Sequence, residues 1–489
     1  MSLPPVAQAR ATQSQASRSA FPSSSLVLAA IVLIGALLRL IALGRKSFWL
    51  DEIASVAIAR RPLPVFLHFL WREEGNMALY YALLKPWLHL GYNEAAVRML
   101  SVIAGVLSLP MMYALGKRLF GRDVGILATA LLALNACAIS VSQEARAYSF
   151  VVLAVLLSTL LFVRLIEAPS HGRMLAYALV AGLTCYFHYF GVLVPAAHAG
   201  SILALPAERR PWKPLFAAWG IIAVLAAPIL WLMHAQDVGH ISWLAPPSWL
   251  ELYHLGVFVA ADGGKAVGGV LLGIELVLAG LFVARFSRIW RDDDQLQRWR
   301  YALVASAIAT PVIITLLVSI IRPAFYHRFL LICLPGWLLM IAIAVTQIRL
   351  RGWRTAAIFL VCGLSLAATV LLYRRVTEDW RSAVAYLVAM TRPDDRVLYY
   401  QSVGQFAVEN YRDWLQPPNA ARPGSIAINP GNPDWQREIE HAPRVWLVLF
   451  RAKPDDEASR AIAAELSKNY APVSVNLFRD ITVIEYKAE

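Results

Sequence analysis

The chain has 489 residues, of which 58% are hydrophobic and only 16% charged. Soluble globular proteins carry about 25% charged residues, so this deficit argues against an ordinary soluble protein and points to a membrane protein. In that setting the net charge of +13 reflects Lys and Arg gathered in cytoplasmic loops, and no nucleic-acid partner is expected.

Residues 1–24 are polar, rich in Ser, Ala and Gln, and read as a disordered cytoplasmic N-terminus. The apolar run that follows is too long for a cleaved signal peptide and lacks a cleavage site, so it reads as an anchor. About eleven apolar runs approach the ~20 residues a membrane-crossing helix needs. They fall at 25–44, 95–116, 122–141, 147–166, 173–187, 191–206, 214–233, 266–286, 301–321, 325–348 and 353–373. The fifth and sixth form one stretch too long for a single helix, broken at His188-Tyr189-Phe190-Gly191. With the N-terminus inside, the basic groups around Arg118, Arg164, Arg210, Arg288 and Arg351 all fall on the cytoplasmic side. That agreement predicts an odd number of spans and a C-terminus outside. Cys137, Cys185, Cys333 and Cys362 lie in apolar runs and read as small core hydrophobes.

Composition changes after Arg375. Residues 377–489 mix strand-like runs at Arg396–Tyr400, 445–450 and 481–486 with helical patterns at 382–390 and 458–468, which predicts a small α/β domain. The Pro-, Asn- and Gly-rich stretch 416–434 reads as a loop, and 234–265 as an acidic, His-containing outer loop. The chain thus divides into 1–24, a mainly α membrane domain 25–376, and 377–489. No internal repeat is visible, which counts against a transporter built from inverted halves.

Three polar groups are not explained by membrane insertion. Within the first outer loop, 45–94, the stretch Ser47-Phe48-Trp49-Leu50-Asp51-Glu52 places two carboxylates beside hydrocarbon, where charge is costly. Helical spacing at 53–59 and 64–71 predicts interfacial helices behind them, so Asp51 could also be a simple N-cap. Ser142-Gln143-Glu144-Ala145-Arg146-Ala147-Tyr148 forms a short outer turn that holds two more charges at the same depth. Glu144 and Arg146 could merely neutralise each other; alternatively, acids at one depth make a proton acceptor or metal site. The third group is basic or aromatic: His188 with Tyr189, His327 with Arg328, and Lys85. An Arg at the membrane boundary suits a lipid phosphate, although Arg328 and Lys85 could also snorkel to headgroups.

These motifs, with Leu79-Tyr80-Tyr81, Arg328-Phe329-Leu330 and Glu378-Asp379-Trp380-Arg381, resemble those of bacterial GT-C glycosyltransferases. The likeness is to the family 39 and 83 types, which include protein O-mannosyltransferases and the aminoarabinose and galacturonic acid transferases of lipid A. The resemblance implies a GT-C fold in the bacterial inner membrane, with its active site and C-terminal domain periplasmic. It implies inverting transfer of a sugar from a polyprenyl-phosphate donor to a lipid A, other glycan or protein acceptor. On that reading Asp51 is the general base, with Glu52 and Glu144 supporting it. Arg146, Arg328 and Lys85 hold the donor phosphate, while Tyr81, His188, Tyr189 and His327 contact substrate. A divalent metal is an open requirement, with Asp51 and Glu144 the acids that would hold it. The sequence departs from many relatives at Gly75-Asn76-Met77-Ala78, where they carry a His or Lys and paired prolines. The competing classes are a flippase for lipid-linked sugars and an O-antigen ligase or polymerase.

Overall fold

The computed structural model describes residues 24–235, 244, 246–262, 265–292, 294–375, 377–400, 402–417, 420–428, 434–452 and 456–489. Apart from Ser24, the predicted disordered N-terminus lies outside them.

The first apolar run forms α1 (Ser24–Leu40). The first loop then folds into α2 (Leu50–Arg60), α3 (Leu63–Arg72) and α4 (Ala78–Trp87). Helical spacing foretold α2 and α3. The additional α4 buries Tyr80, Tyr81 and Leu84 in spite of Pro86 near its end.

The bundle continues with α5 (Glu94–Phe120), α6 (Arg122–Leu134), α7 (Ala136–Ser142), α8 (Tyr148–Glu167), α9 (His171–Phe187) and α10 (Leu193–Ile202). It is completed by α11 (Trp212–Ala235), α12 (Trp249–Ala261), α13 (Lys265–Arg291), α14 (Gln295–Ile321), α15 (Leu334–Thr346) and α16 (Arg351–Arg374). Among the described residues, seven helices are long and apolar enough to cross a membrane. The pair α6 and α7, bent by 58°, makes an eighth if it is one span. Every predicted run is helical over most of its length, but α1, the Tyr189–Ile202 stretch and α12 are short apolar helices. The predicted outer loop at 234–265 is therefore corrected: much of it is α12.

Two irregularities place the site. Asn135 bends the third run, 122–141: its side-chain oxygen accepts the Ala138 N–H at 2.9 Å, while its amide donates to the carbonyls of Val259 and Ala260 at 2.9 and 3.0 Å. One residue thus starts α7 and closes α12. The predicted break at His188 is observed, and Gly191 makes it possible. A Cβ there would lie 2.5 Å from the Thr184 carbonyl oxygen, so only glycine lets the chain fold back.

The C-terminal segment contains α17 (Trp380–Met390), α18 (Ser402–Leu415), α19 (Trp435–Ile439) and α20 (Glu457–Leu466) around a five-stranded sheet. Strands β1 (Arg396–Tyr400), β2 (Gly424–Ile428), β3 (Arg444–Phe450), β4 (Tyr470–Phe478) and β5 (Ile481–Ala488) run in the order β2-β1-β3-β5-β4. β1 lies parallel to β2 and β3, and β5 antiparallel to β3 and β4. The predicted 416–434 loop is corrected, because β2 lies inside it. This α/β unit is fastened to the first loop. Phe48 N–H donates to Tyr411 Oη at 2.9 Å, that hydroxyl donates to Glu94 at 2.7 Å, and Arg381 pairs with Glu94 at 2.6 Å.

Candidate active site

The N-terminus of α2 is the centre of the site. Its free N–H groups favour carboxylates in the first turn, and the sequence supplies Asp51 and Glu52. Successive residues on a helix point about 100° apart, so the two acids meet different surroundings.

Glu52 is fully buried. It receives Arg98 Nε at 2.7 Å and Nη2 at 2.6 Å, the Ala145 N–H at 2.7 Å, and the Trp49 N–H at 3.2 Å. Arg98 donates its remaining N–H groups to the carbonyls of Leu43, Lys46 and Ser47 at 2.8 to 3.0 Å. The pair therefore joins the exit of α1, the start of α2, α5 and the turn after α7.

Asp51 is the opposite case. Its side chain is 40% exposed and faces Arg146 Nη2 at 3.8 Å. Arg146 Nη1 approaches Ser55 Oγ and Tyr81 Oη, each at 3.3 Å, and its Nε is buried without a partner. Burial raises the Tyr81 phenol above its ordinary range, so it stays protonated beside the guanidinium.

A second acid–guanidinium pair lies nearby. Arg328, just ahead of α15, forms an ion pair with Glu144. Its guanidinium stands 5.1 Å from the Trp49 ring centre and 5.0 Å from that of Tyr148. Burial pushes the Glu144 carboxyl up, against the pull of Arg328. Arg328 Nε is also buried without a partner.

His188 is buried, and burial together with Arg146 pushes its pKa down to about 3. The ring is therefore neutral. Nδ1 accepts the Phe190 N–H at 3.2 Å, which leaves the proton on Nε2, itself buried and unpartnered. Tyr189 N–H donates to Asn76 Oδ1 at 3.2 Å, tying the break in the helix to the first loop.

A cavity of about 550 Å³ opens between this end of the bundle and the C-terminal unit. Lys46, Glu144, His327 and Arg328 line it from the helical side, and Glu378, Arg451 and Arg479 from the other. Asp51 and Arg146 are not among its walls.

The comparisons meet this geometry at the level of fold. The family model for dolichyl-phosphate-mannose-protein mannosyltransferase matches residues 78–234. The structure of ArnT from Cupriavidus metallidurans bound to undecaprenyl phosphate has a TM-score of 0.62 at 13% identity, covering 95% of this chain and 98% of that one. The apo form of the same protein gives 0.61 at 12% identity, over 95% of this chain and 98% of that one. The chain has the GT-C fold. The Archaeoglobus fulgidus oligosaccharyltransferase, in complex with zinc and sulfate, shares it at a TM-score of 0.58 and 12% identity, with 94% of this chain and 73% of that one covered. No curated protein matches the sequence.

Within the GT-C fold, the structure gathers most of the predicted residues at one end of the bundle but gives them different surroundings. Asp51, Arg146 and Tyr81 form one group, and Glu144 with Arg328 another. His327 lines the cavity, with its ring against Phe258 and His254. Lys85 does not join them. Its ammonium donates to the carbonyls of Ala59 and Arg61 at the far end of α2, about 12 Å of helix from Asp51.

Arg98 and Glu378 escaped the sequence reading as site residues. Arg98 stood near the start of an apolar run, and a charge at hydrocarbon depth with a lone acid elsewhere is a signal for a pair. Glu378 sat in a noted motif but carried no assigned role. Its carboxylate accepts the Leu50 N–H at 2.9 Å and the Trp380 indole at 2.8 Å, and it pairs with Arg451 at 2.6 Å.

Proposed function

We propose that this protein moves a sugar from a polyprenyl-phosphate donor to an extracytoplasmic acceptor, with inversion at the anomeric carbon. The observation that carries the reading is the Asp51–Arg146 pair: a solvent-reachable carboxylate beside a guanidinium with a buried, unused N–H. In the proposed reaction Asp51 takes the proton of the acceptor hydroxyl or amine as that atom bonds to the anomeric carbon. The bond from that carbon to the phosphate oxygen breaks, and its electron pair leaves on the polyprenyl phosphate. Arg146 and Arg328 stabilise the charge that develops there, as paired guanidinium groups do for phosphate.

Glu52 acts through others in this reading. All its hydrogen-bonding capacity is spent on Arg98 and two backbone N–H groups, so it positions Asp51 and the Glu144–Arg146 turn. His188, Tyr189 and Tyr81 are the proposed neutral contacts to the sugar or phosphate, with His188 offering its unpartnered Nε2–H. The inner bacterial membrane, with the N-terminus cytoplasmic and the site periplasmic, is the location that the basic loops support.

The residues present do not make a ready metal site. Asp51 and Glu144 each face a different guanidinium, and among the described residues no three His, Cys, Asp or Glu side chains converge. No step above is routed through a metal.

The test is direct. Purified protein is incubated with polyprenyl-monophosphate sugars and a lipid A or peptide acceptor, and release of polyprenyl phosphate is followed. Acceptor-dependent release is expected; release from none of the donors would contradict the reading.

A further inference from the structure

The face of the bundle away from Asp51 carries a second cavity, of about 320 Å³, which the transferase reading does not use. It lies where the end of α5, the turn into α6, the start of α14 and the end of α15 meet. Arg98 and Arg118 sit at opposite ends of α5, so about 30 Å of helix separates this cavity from the site.

Its walls contain two arginines and no acid. Arg118 and Arg300 stand with Gln297, Tyr301, Thr346 and Gln347 around the space. Arg118 forks onto Glu167, which is not itself part of the lining. Arg300 has no ion pair or side-chain hydrogen bond among the described residues, and its Nε is buried without a partner. A buried guanidinium N–H left unpaired costs free energy comparable to a lost charged hydrogen bond, so its retention points to an occupant.

The backbone adds a second donor set. Gly121, with φ +94°, ends α5 and precedes α6, and both Gly121 and Val124 line the space. The N–H groups of the first turn of this 13-residue helix have no partner within the helix. A side chain at position 121 would be strained at that φ, and a Cβ there would meet only open space. The left-handed glycine keeps a helix N-terminus open beside two arginines, which is the chemistry of a phosphate site.

We propose that this cavity binds the phosphate of an anionic group at the membrane surface, a lipid headgroup or a soluble phosphate ester. The volume suits a headgroup-sized ligand, at the lower end of the range for ligand pockets.

The test uses the full-length protein, compared with Arg118→Gln/Arg300→Gln and with Val124→Asp, which places a carboxylate in the cavity. Native mass spectrometry after delipidation counts the phosphatidylglycerol molecules retained, and thermal unfolding is followed against added inorganic phosphate. If the occupant is a lipid, wild-type protein retains one phosphatidylglycerol more than either variant. If it is a soluble phosphate, inorganic phosphate saturably raises the wild-type Tm, with affinity about tenfold or more weaker in the variants. The variants' Tm without ligand verifies that they fold. Equal lipid retention and equal phosphate response in all three proteins would overturn the proposal. None of these readouts depends on transferase activity.

Discussion

The carboxylate of Glu378 accepts the backbone N–H of Leu50 at 2.9 Å, so the segment entering the C-terminal unit holds the first residue of the helix that carries Asp51. The same carboxylate holds Arg451 and the Trp380 indole. The C-terminal unit is therefore part of the scaffold of the site, attached where α2 begins.

Replacing Glu378 by Ala should strand these three partners, costing about 2 to 4 kcal/mol and lowering turnover through a displaced α2. Thermal unfolding alongside activity checks this. Wild-type stability with normal turnover would detach the C-terminal unit from the site.

Glu52 and Arg98 should behave as one structural element. Glu52→Gln leaves a buried guanidinium short of its counter-charge, and a loss of about 3 to 5 kcal/mol is expected. In a double-mutant cycle with Arg98→Met, the double variant should lose much less than the sum of the single losses. A Glu52→Gln protein as stable as wild type but inactive would instead give Glu52 a chemical role.

The fold was largely legible in the sequence, and the helices α2 and α3 fell where apolar spacing put them. What escaped was set by distant partners. Glu251 and His254 interrupt the apolar pattern of α12, so its stretch read as a loop until Asn135 was seen capping its end. β2 is only five residues long and sits in Pro- and Gly-rich surroundings, and it gains its identity from pairing with β1. The acids of the site were visible as costly charges, with Glu52 expected to support Asp51. The partner that buries Glu52 was not visible, because Arg98 lies 46 residues away and periodicity carries no such information.

Lys85 offers a contrast with the site arginines. Because it closes the C-terminal end of α2, Lys85→Met should cost about 1 kcal/mol of stability and leave the donor KM unchanged. A raised donor KM in a normally stable protein would return Lys85 to the phosphate site.

His188 should impose a pH signature on stability. Its folded pKa of about 3 lies below the ~6.5 of an unfolded chain, so the unfolded state gains the proton first as pH falls. The stability that neutral His188 contributes is present above about pH 6.5 and is lost progressively below it, by up to roughly 1.4 kcal/mol per pH unit. His188→Gln, which cannot take up a proton, should flatten the stability profile between about pH 6.5 and 4. An unchanged profile would mean that the ring is not held neutral.

In the proposed reaction Asp51 takes up the acceptor's proton. The most direct measurement is the single-turnover rate of Asp51→Asn with a bound polyprenyl-phosphate sugar, alongside the donor's affinity measured separately. A rate lower by about 10²- to 10⁴-fold, with donor affinity changed little, is expected. Turnover at the wild-type rate would contradict it.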